Sequence, residues 1–172
     1  NEVINLGQDN LLAGFSLVQV QLRQGQPAEA LATAQKLQKQ HPNNAMAYYL
    51  LAGAQMANRN DAEARKQLTQ ALKLNAKFSA AHIALAQLDM REKKRPQAEQ
   101  RLQQVLQYDP TNMPAMLNLS AIAAGANDQS SARAWAEKAL EKNPKALEPS
   151  LRLVQLSLNN KNALQAVQYA RV

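Results

Sequence analysis

The chain has no cysteine anywhere in its 172 residues. Disulfides, thiolate catalysis and cysteine-based metal sites are thereby excluded, while the redox compartment stays open. Aromatics are scarce, at 4 %, with a single tryptophan among them; thin, alanine-lined helix contacts are expected in place of one large aromatic core. The five glycines never cluster, and no HExxH, P-loop or GxGxxG segment appears, which removes the usual phosphate cradles and zinc-protease helices. No apolar run approaches the ~18–20 residues that a membrane span needs, and no charged-then-apolar signal segment opens the chain. Acidic residues are fewer than basic ones, 13 against 20, for a formal net charge of +7. That balance suits an acidic protein, an anionic polysaccharide, nucleic acid or a membrane surface, and selects none of them.

What is abundant is alanine, leucine and glutamine, residues that lose little rotamer freedom in a helix. They are arranged with a period of 34 residues: Pro42, Pro110 and Pro144 share one lattice, with Ala76 in the remaining slot. Ala30, Ala64, Ala98, Ala132 and Ala166 form a second, and Leu17, Leu51, Leu85, Leu119 and Leu153 a third. A fourth column, Val18, Ala52, Ala86, Ser120 and Val154, is small or β-branched throughout. Internal repetition of this kind is the signature of a solenoid.

Each period holds two amphipathic helices. Tyr48, Leu51, Ala52 and Gln55 recur at helical spacing, and Ala64, Leu68, Ala71 and Leu72 do so again after the polar turn Asn58-Arg59-Asn60-Asp61. Asn60 with Glu63 reads as a capping box. Pro27 and Pro96 suit the first turn of a second helix, and Pro42, Pro110 and Pro144 each stop one. The spacing predicts helices at about 11–24, 28–40, 45–58, 61–74, 79–92, 95–107, 113–125, 129–142, 147–159 and 163–172. Residues 1–10 read as a linker or the remnant of a preceding element. The repeats then run 11–44, 45–78, 79–112, 113–146 and a truncated 147–172. A first residue Asn1 and a last residue inside a helix suggest a piece of a longer protein. Small residues of the Ala30 and Ala52 lattices let paired helices approach, and the Leu17 lattice is expected to fill the space between them. Each pair leaves an apolar face that only its neighbour can cover.

At these residues the chain resembles the tetratricopeptide repeat family, through Tyr48…Leu51-Ala52…Ala64…Ala71 and Ala98…Asp109-Pro110. The resemblance implies an all-α fold, an α-solenoid (right-handed superhelix) of about five helix–turn–helix repeats, used as a non-catalytic protein–protein interaction scaffold. Gly14 and Ser150 depart from it where a large residue is usual, and suggest weaker packing in the end repeats. The segments Lys73–Phe78, Leu85–Asp89 and Asn143–Pro149 further resemble repeat lipoproteins of bacterial PEP-CTERM/exosortase exopolysaccharide systems. That likeness implies the periplasm or envelope of a Gram-negative bacterium; a cytoplasmic location is the alternative.

Catalytic, cofactor and metal residues are not assigned. His82, in a core-facing column, reads as a packing residue; His41 only precedes a proline stop. Aspartates and glutamates are spread along helix surfaces and read as solvated. Arg91-Glu92-Lys93-Lys94-Arg95 reads as a solvated turn, because nucleic-acid binding would want stacking aromatics among the basic residues. Trp135 reads as an inter-repeat packing residue.

The inner stripe of the first helices is the candidate partner-binding groove. It comprises Leu12, Phe15, Gln19, Leu22 and Arg23, then Met46, Tyr49, Leu50 and Met56. Ile83, Gln87, Met90 and Arg91 follow, then Leu117 and Asn118, and finally Leu151 and Arg152. Exposed apolar, methionine-bearing surface marks binding sites. A partner's peptide or helix would fill it, or else a neighbouring repeat or helix of the same protein. Within the family, the clamp for acidic chaperone C-termini uses Lys/Asn/Asn/Lys/Arg. Asn118 and Arg152 match two of those slots, but Ile83, Gln87 and Glu148 occupy the rest, which argues against that partner. An anionic polymer on the basic surface is the competing reading, and self-association through the end repeats is a third.

Overall fold

The computed structural model describes the backbone of residues 2–170 and the side-chain surroundings of residues 11–170. Among the described residues there are ten α-helices and no strand: α1 (Glu2–Arg23), α2 (Pro27–Gln40), α3 (Ala45–Ala57), α4 (Asp61–Leu74), α5 (Ser79–Arg91), α6 (Arg95–Tyr108), α7 (Met113–Gly125), α8 (Gln129–Lys142), α9 (Leu147–Asn159) and α10 (Ala163–Ala170). The fold is an all-α helical repeat. Residues 2–10, expected as a linker or a remnant, are the opening turns of α1. Residues 171–172, the end of the fifth expected repeat, lie outside the described residues.

Every turn between a first and a second helix is built the same way. Gly25, Arg59, Lys93, Asn127 and Lys161 all have φ near +60 to +72°, and they stand on one 34-residue lattice. Around Arg59, the Arg59 N–H donates to the Met56 carbonyl at 3.2 Å and the Asn60 N–H to that of Gln55 at 2.9 Å. Equivalent bonds surround Gly25, Lys93, Asn127 and Lys161. This is the Schellman closure, which satisfies the last carbonyls of a helix by a left-handed residue just beyond it.

The starts of the helices are less uniform. The Asn44 side chain accepts from Met46 N–H, that of Asn112 from Ala115 N–H and that of Asp128 from Ser131 N–H. Asn60 caps nothing through its side chain. Its Nδ2 donates instead to Gln55 Oε1 at 3.0 Å, and Glu63 pairs with Lys66 at 2.6 Å, so the expected capping box does not form. Pro27 and Pro96 do lie in the first turns of α2 and α6, and Pro114 in that of α7.

The helices divide into two compact units, Asn1–Leu88 and Asp89–Val172, with the boundary inside α5. In the first unit, Val18, Ala30, Ala34 and Leu37 of α1 and α2 form one cluster with Leu50, Leu51 and Ala54 of α3. Ala52, Ala64, Leu68 and Ala71 of α3 and α4 form the next with Ala81, Ala84, Leu85 and Leu88 of α5. In the second unit, Ala123, Ala132 and Ala136 of α7 and α8 receive Leu153 and Leu156 of α9. At these three junctions the first helix of one repeat covers the helix pair before it, and buried alanines let the backbones approach.

That arrangement corrects one expectation. Leu51, Leu85, Leu119 and Leu153 are buried, but Leu17 is 49 % exposed. This column covers the preceding pair, and among the described residues no pair lies before α1. The expectation of slack packing at Gly14 also changes: a Cβ there would stand 2.5 Å from both δ-carbons of Leu37. A large side chain on the second helix fills the space that a large residue on the first would take. Ser150, the other departure, is buried on α9.

Candidate functional site

In the first unit, α1 and α3 pack directly against each other, so their first-helix stripes form one surface. Leu12 stands out at 65 % exposed, Arg23 is exposed, and Phe15, Gln19, Leu22, Met46, Tyr49 and Met56 are half-buried. Leu50 leaves the set. It is 2 % exposed and belongs to the core between α1, α2 and α3. Phe15, Leu22 and Met46 pack on the same core, and Tyr49 and Met56 on the next one, so much of the predicted apolar stripe is turned toward neighbouring repeats. Tyr49 meets Phe78 edge-on, with ring centroids 5.4 Å apart, and burial pushes its hydroxyl above the ordinary tyrosine pKa. On α5, Ile83 is half-buried and Gln87 exposed.

What remains open is a pocket of about 320 Å³ where α1 meets the start of α3, lined by Leu11, Leu12, Phe15, Asn44 and Met46. Three of these were expected from the stripe. Leu11 and Asn44 were not. Asn44 Oδ1 caps α3, while no hydrogen bond is made by its Nδ2 among the described residues. The pocket therefore offers greasy walls and one amide donor. That arrangement accepts an apolar side chain beside a backbone carbonyl.

The second unit presents a more polar stripe. Met90 is half-buried and Arg91 exposed, and Leu117 and Asn118 are half-buried. Asn118 Nδ2 turns back to the Pro114 carbonyl at 2.8 Å. Arg152 Nε lies 3.3 Å from Ser120 Oγ, which itself donates to the Ala132 carbonyl at 2.6 Å. Burial lowers the guanidinium from its usual pKa. Arg152 thus ties α9 to α7 and α8. Leu151 is exposed on α9.

The remaining candidates resolve as structural. His82 is buried and its ring Nε2 lies 2.9 Å from the Ala76 carbonyl, taking up the loop where proline is absent. Lys94 pairs with Glu92 and Arg95 with Glu99, at 2.6 and 2.7 Å, so two of the four cations of the basic turn have an acidic neighbour. Trp135 is half-buried with Lys138 Nζ 5.1 Å from its ring centroid. Asp89 was read as solvated and is not: it is buried and bonded to Arg101. Among the described residues no three His, Cys, Asp or Glu side chains gather to hold a metal, and no helix is long and apolar enough to cross a membrane.

Comparison with known proteins agrees with this geometry. Two family models described as tetratricopeptide repeat match, one over residues 15–82 and the other over 62–122 and 89–145. No curated protein matches. Among solved structures, the chain is similar to TTC0263, a thermophilic tetratricopeptide repeat protein of Thermus thermophilus, with a TM-score of 0.78 and 19 % identity over 95 % of this chain and 87 % of that one. It is similar to PilF of Pseudomonas aeruginosa (0.75, 20 %, covering 95 % and 74 %) and to MamA of Desulfovibrio magneticus RS-1 (0.64, 18 %, covering 95 % and 92 %). At such identities these likenesses bear on the fold alone. The matched models run without interruption from residue 15 to residue 145, over the same helix pairs, left-handed turns and alanine contacts, and the chain belongs to the tetratricopeptide repeat family.

Proposed function

We propose that this chain is a binding module that takes an apolar side chain of a partner peptide or helix into the pocket between α1 and α3. Tetratricopeptide repeat proteins generally mediate protein–protein interaction and are generally non-catalytic. The carrying observation is the pocket itself, with Leu12 left 65 % exposed at its edge. Burying one leucine-sized side chain there contributes about 1.5–3 kcal/mol, so useful affinity needs flanking contacts, for which Arg23 of α1 is exposed and Gln19 half-exposed.

Peptides selected from a random displayed library against the whole chain test this reading. Apolar peptides should emerge whose affinity drops at least about tenfold on Leu12→Glu or Met46→Glu and changes little with salt. Acidic ligands whose affinity falls steeply with salt, and which ignore both substitutions, would favour the anionic-polymer reading. The envelope location and an exopolysaccharide or protein-sorting partner rest only on the repeat wording of Lys73–Phe78, Leu85–Asp89 and Asn143–Pro149. Fractionation of the native host, with the chain in periplasm or cytoplasm, decides between the two compartments.

A further inference from the structure

Gly14 and Gly25 are required by the fold, the first by the Leu37 side chain against it and the second by its left-handed φ. Gly53 is required by neither. It lies in the interior of α3, half-buried and without a left-handed φ. A Cβ there would meet no atom within 4 Å beyond its own helix and adjoining residues. Glycine weakens a helix interior relative to alanine, so α3 carries a cost that no contact inside the molecule explains. The same lattice place holds Gln19 on α1 and Gln87 on α5. Neither glutamine side chain makes a hydrogen bond among the described residues. Met46, Tyr49, Gly53 and Met56 follow one another at three- and four-residue steps and share one face of α3. That face begins at the pocket, which Met46 lines.

We propose that Gly53 is where the main chain of an extended, uncharged segment of a partner protein lies directly on α3. The proposal rests on the pocket reading and names the form of the segment that enters it. A missing Cβ lowers the floor of the surface and lets another backbone come close. Gln19 and Gln87 each offer a donor and an acceptor, and an extended main chain has both kinds of group to pair with them. A helix has already used its own internally, which selects the extended form. From Met46 to Gly53 is about 10 Å of helix, the span of about three extended residues. A segment with an apolar side chain in the pocket therefore reaches Gly53 within three residues. Along the stripe of the first unit only Arg23, at the end of α1, is charged, so the segment that lies there carries no charge.

Peptides selected against the whole chain test this through one substitution read in two ways. Gly53→Ala should raise the melting temperature by about 2–4 °C and at the same time weaken the selected peptides at least about tenfold. A glycine serving the fold would move both in the same direction, and an idle one would leave affinity untouched. Gln19→Ala and Gln87→Ala should each weaken binding with the melting temperature unchanged, and the peptides should gain no helical dichroism when bound. Unchanged affinity in Gly53→Ala overturns the inference, even where Met46→Glu abolishes binding and the pocket stands. Peptides that weaken on Gly53→Ala but ignore Met46→Glu would instead support the contact at Gly53 and sink the pocket. A lower melting temperature in Gly53→Ala, peptides that become helical on binding, or a library that yields no peptide also overturns it.

Discussion

Arg101 on α6 donates from Nε to Oδ2 of Asp89 on α5 at 2.6 Å, and the aspartate is only 2 % exposed while the arginine keeps 32 %. A carboxylate drawn that far from water is stable only with a charged partner at hydrogen-bond distance. Removing one member of a fully buried pair costs about 3–5 kcal/mol. With Arg101 a third exposed, Arg101→Ala should cost about 2–3 kcal/mol, read as a lower urea midpoint. Arg101→Lys should recover only part, since a point ammonium lacks the planar guanidinium donor. Wild-type stability in Arg101→Ala would show the pair to be dispensable.

Gly14 and Leu37 behave as one packing unit. Gly14→Ala pushes a methyl into the Leu37 δ-carbons and should cost about 1–3 kcal/mol. Leu37→Ala alone should cost about 2–5 kcal/mol by opening a cavity. Because each change relieves the other, the double variant should be more stable than the sum of the two losses predicts, a coupling that a double-mutant cycle reads directly. Strict additivity would mean that the two do not share space.

The left-handed turn positions offer a gain. Arg59 and Lys93 hold φ of 60° with a Cβ present, a conformation that costs an ordinary residue about 1–2 kcal/mol. Glycine gives some of this back through unfolded-chain entropy, so Arg59→Gly and Lys93→Gly should each raise stability by about 0.5–1 kcal/mol. Gly25→Ala should lose a similar amount, and Asn127→Gly should gain least, since asparagine tolerates this region. Thermal melts of the four variants check the order.

Asp128 links stability to acid. Hydrogen bonds from the Ser131 hydroxyl and then its backbone N–H hold the carboxyl below its ordinary pKa. A carboxyl lowered on folding adds stability above its unfolded pKa and loses it as pH falls through the lowered value. The start of α8 should therefore fray at acid pH, and Asp128→Asn should abolish that step while retaining a cap. Amide exchange at Ser131 against pH is the measurement; an unchanged acid response in Asp128→Asn would refute the link.

Much of the fold was legible in the chain. The period, the helix pairs and the boundaries of α4, α7, α8 and α9 follow from alanine and leucine lattices and proline stops, because these are local or strictly repeated signals. The common left-handed turn hid behind differing residues, since backbone closure selects φ there and only Gly25 and, more weakly, Asn127 advertise it. The capping box at Asn60 read well and failed because Gln55, one turn earlier, competes for the side chain. Of the stripe, Leu12, Phe15 and Met46 do come together at a pocket, while Leu50 turned inward: neighbouring positions on a helix differ by about 100° in direction, and a stripe drawn by eye easily includes a residue of the core.

By itself the sequence determined that successive helix pairs stack at a constant stride, since a periodic pattern of small and branched apolar residues has few other ways to leave water. Tertiary structure alone decided which members of each column are covered. Leu17 and Leu153 occupy the same place in the pattern, yet one is exposed and the other buried, and Asp89 is taken out of water where its spacing suggested a solvated face. Burial belongs to the neighbour as much as to the residue, and the neighbour is set by the three-dimensional arrangement of helices.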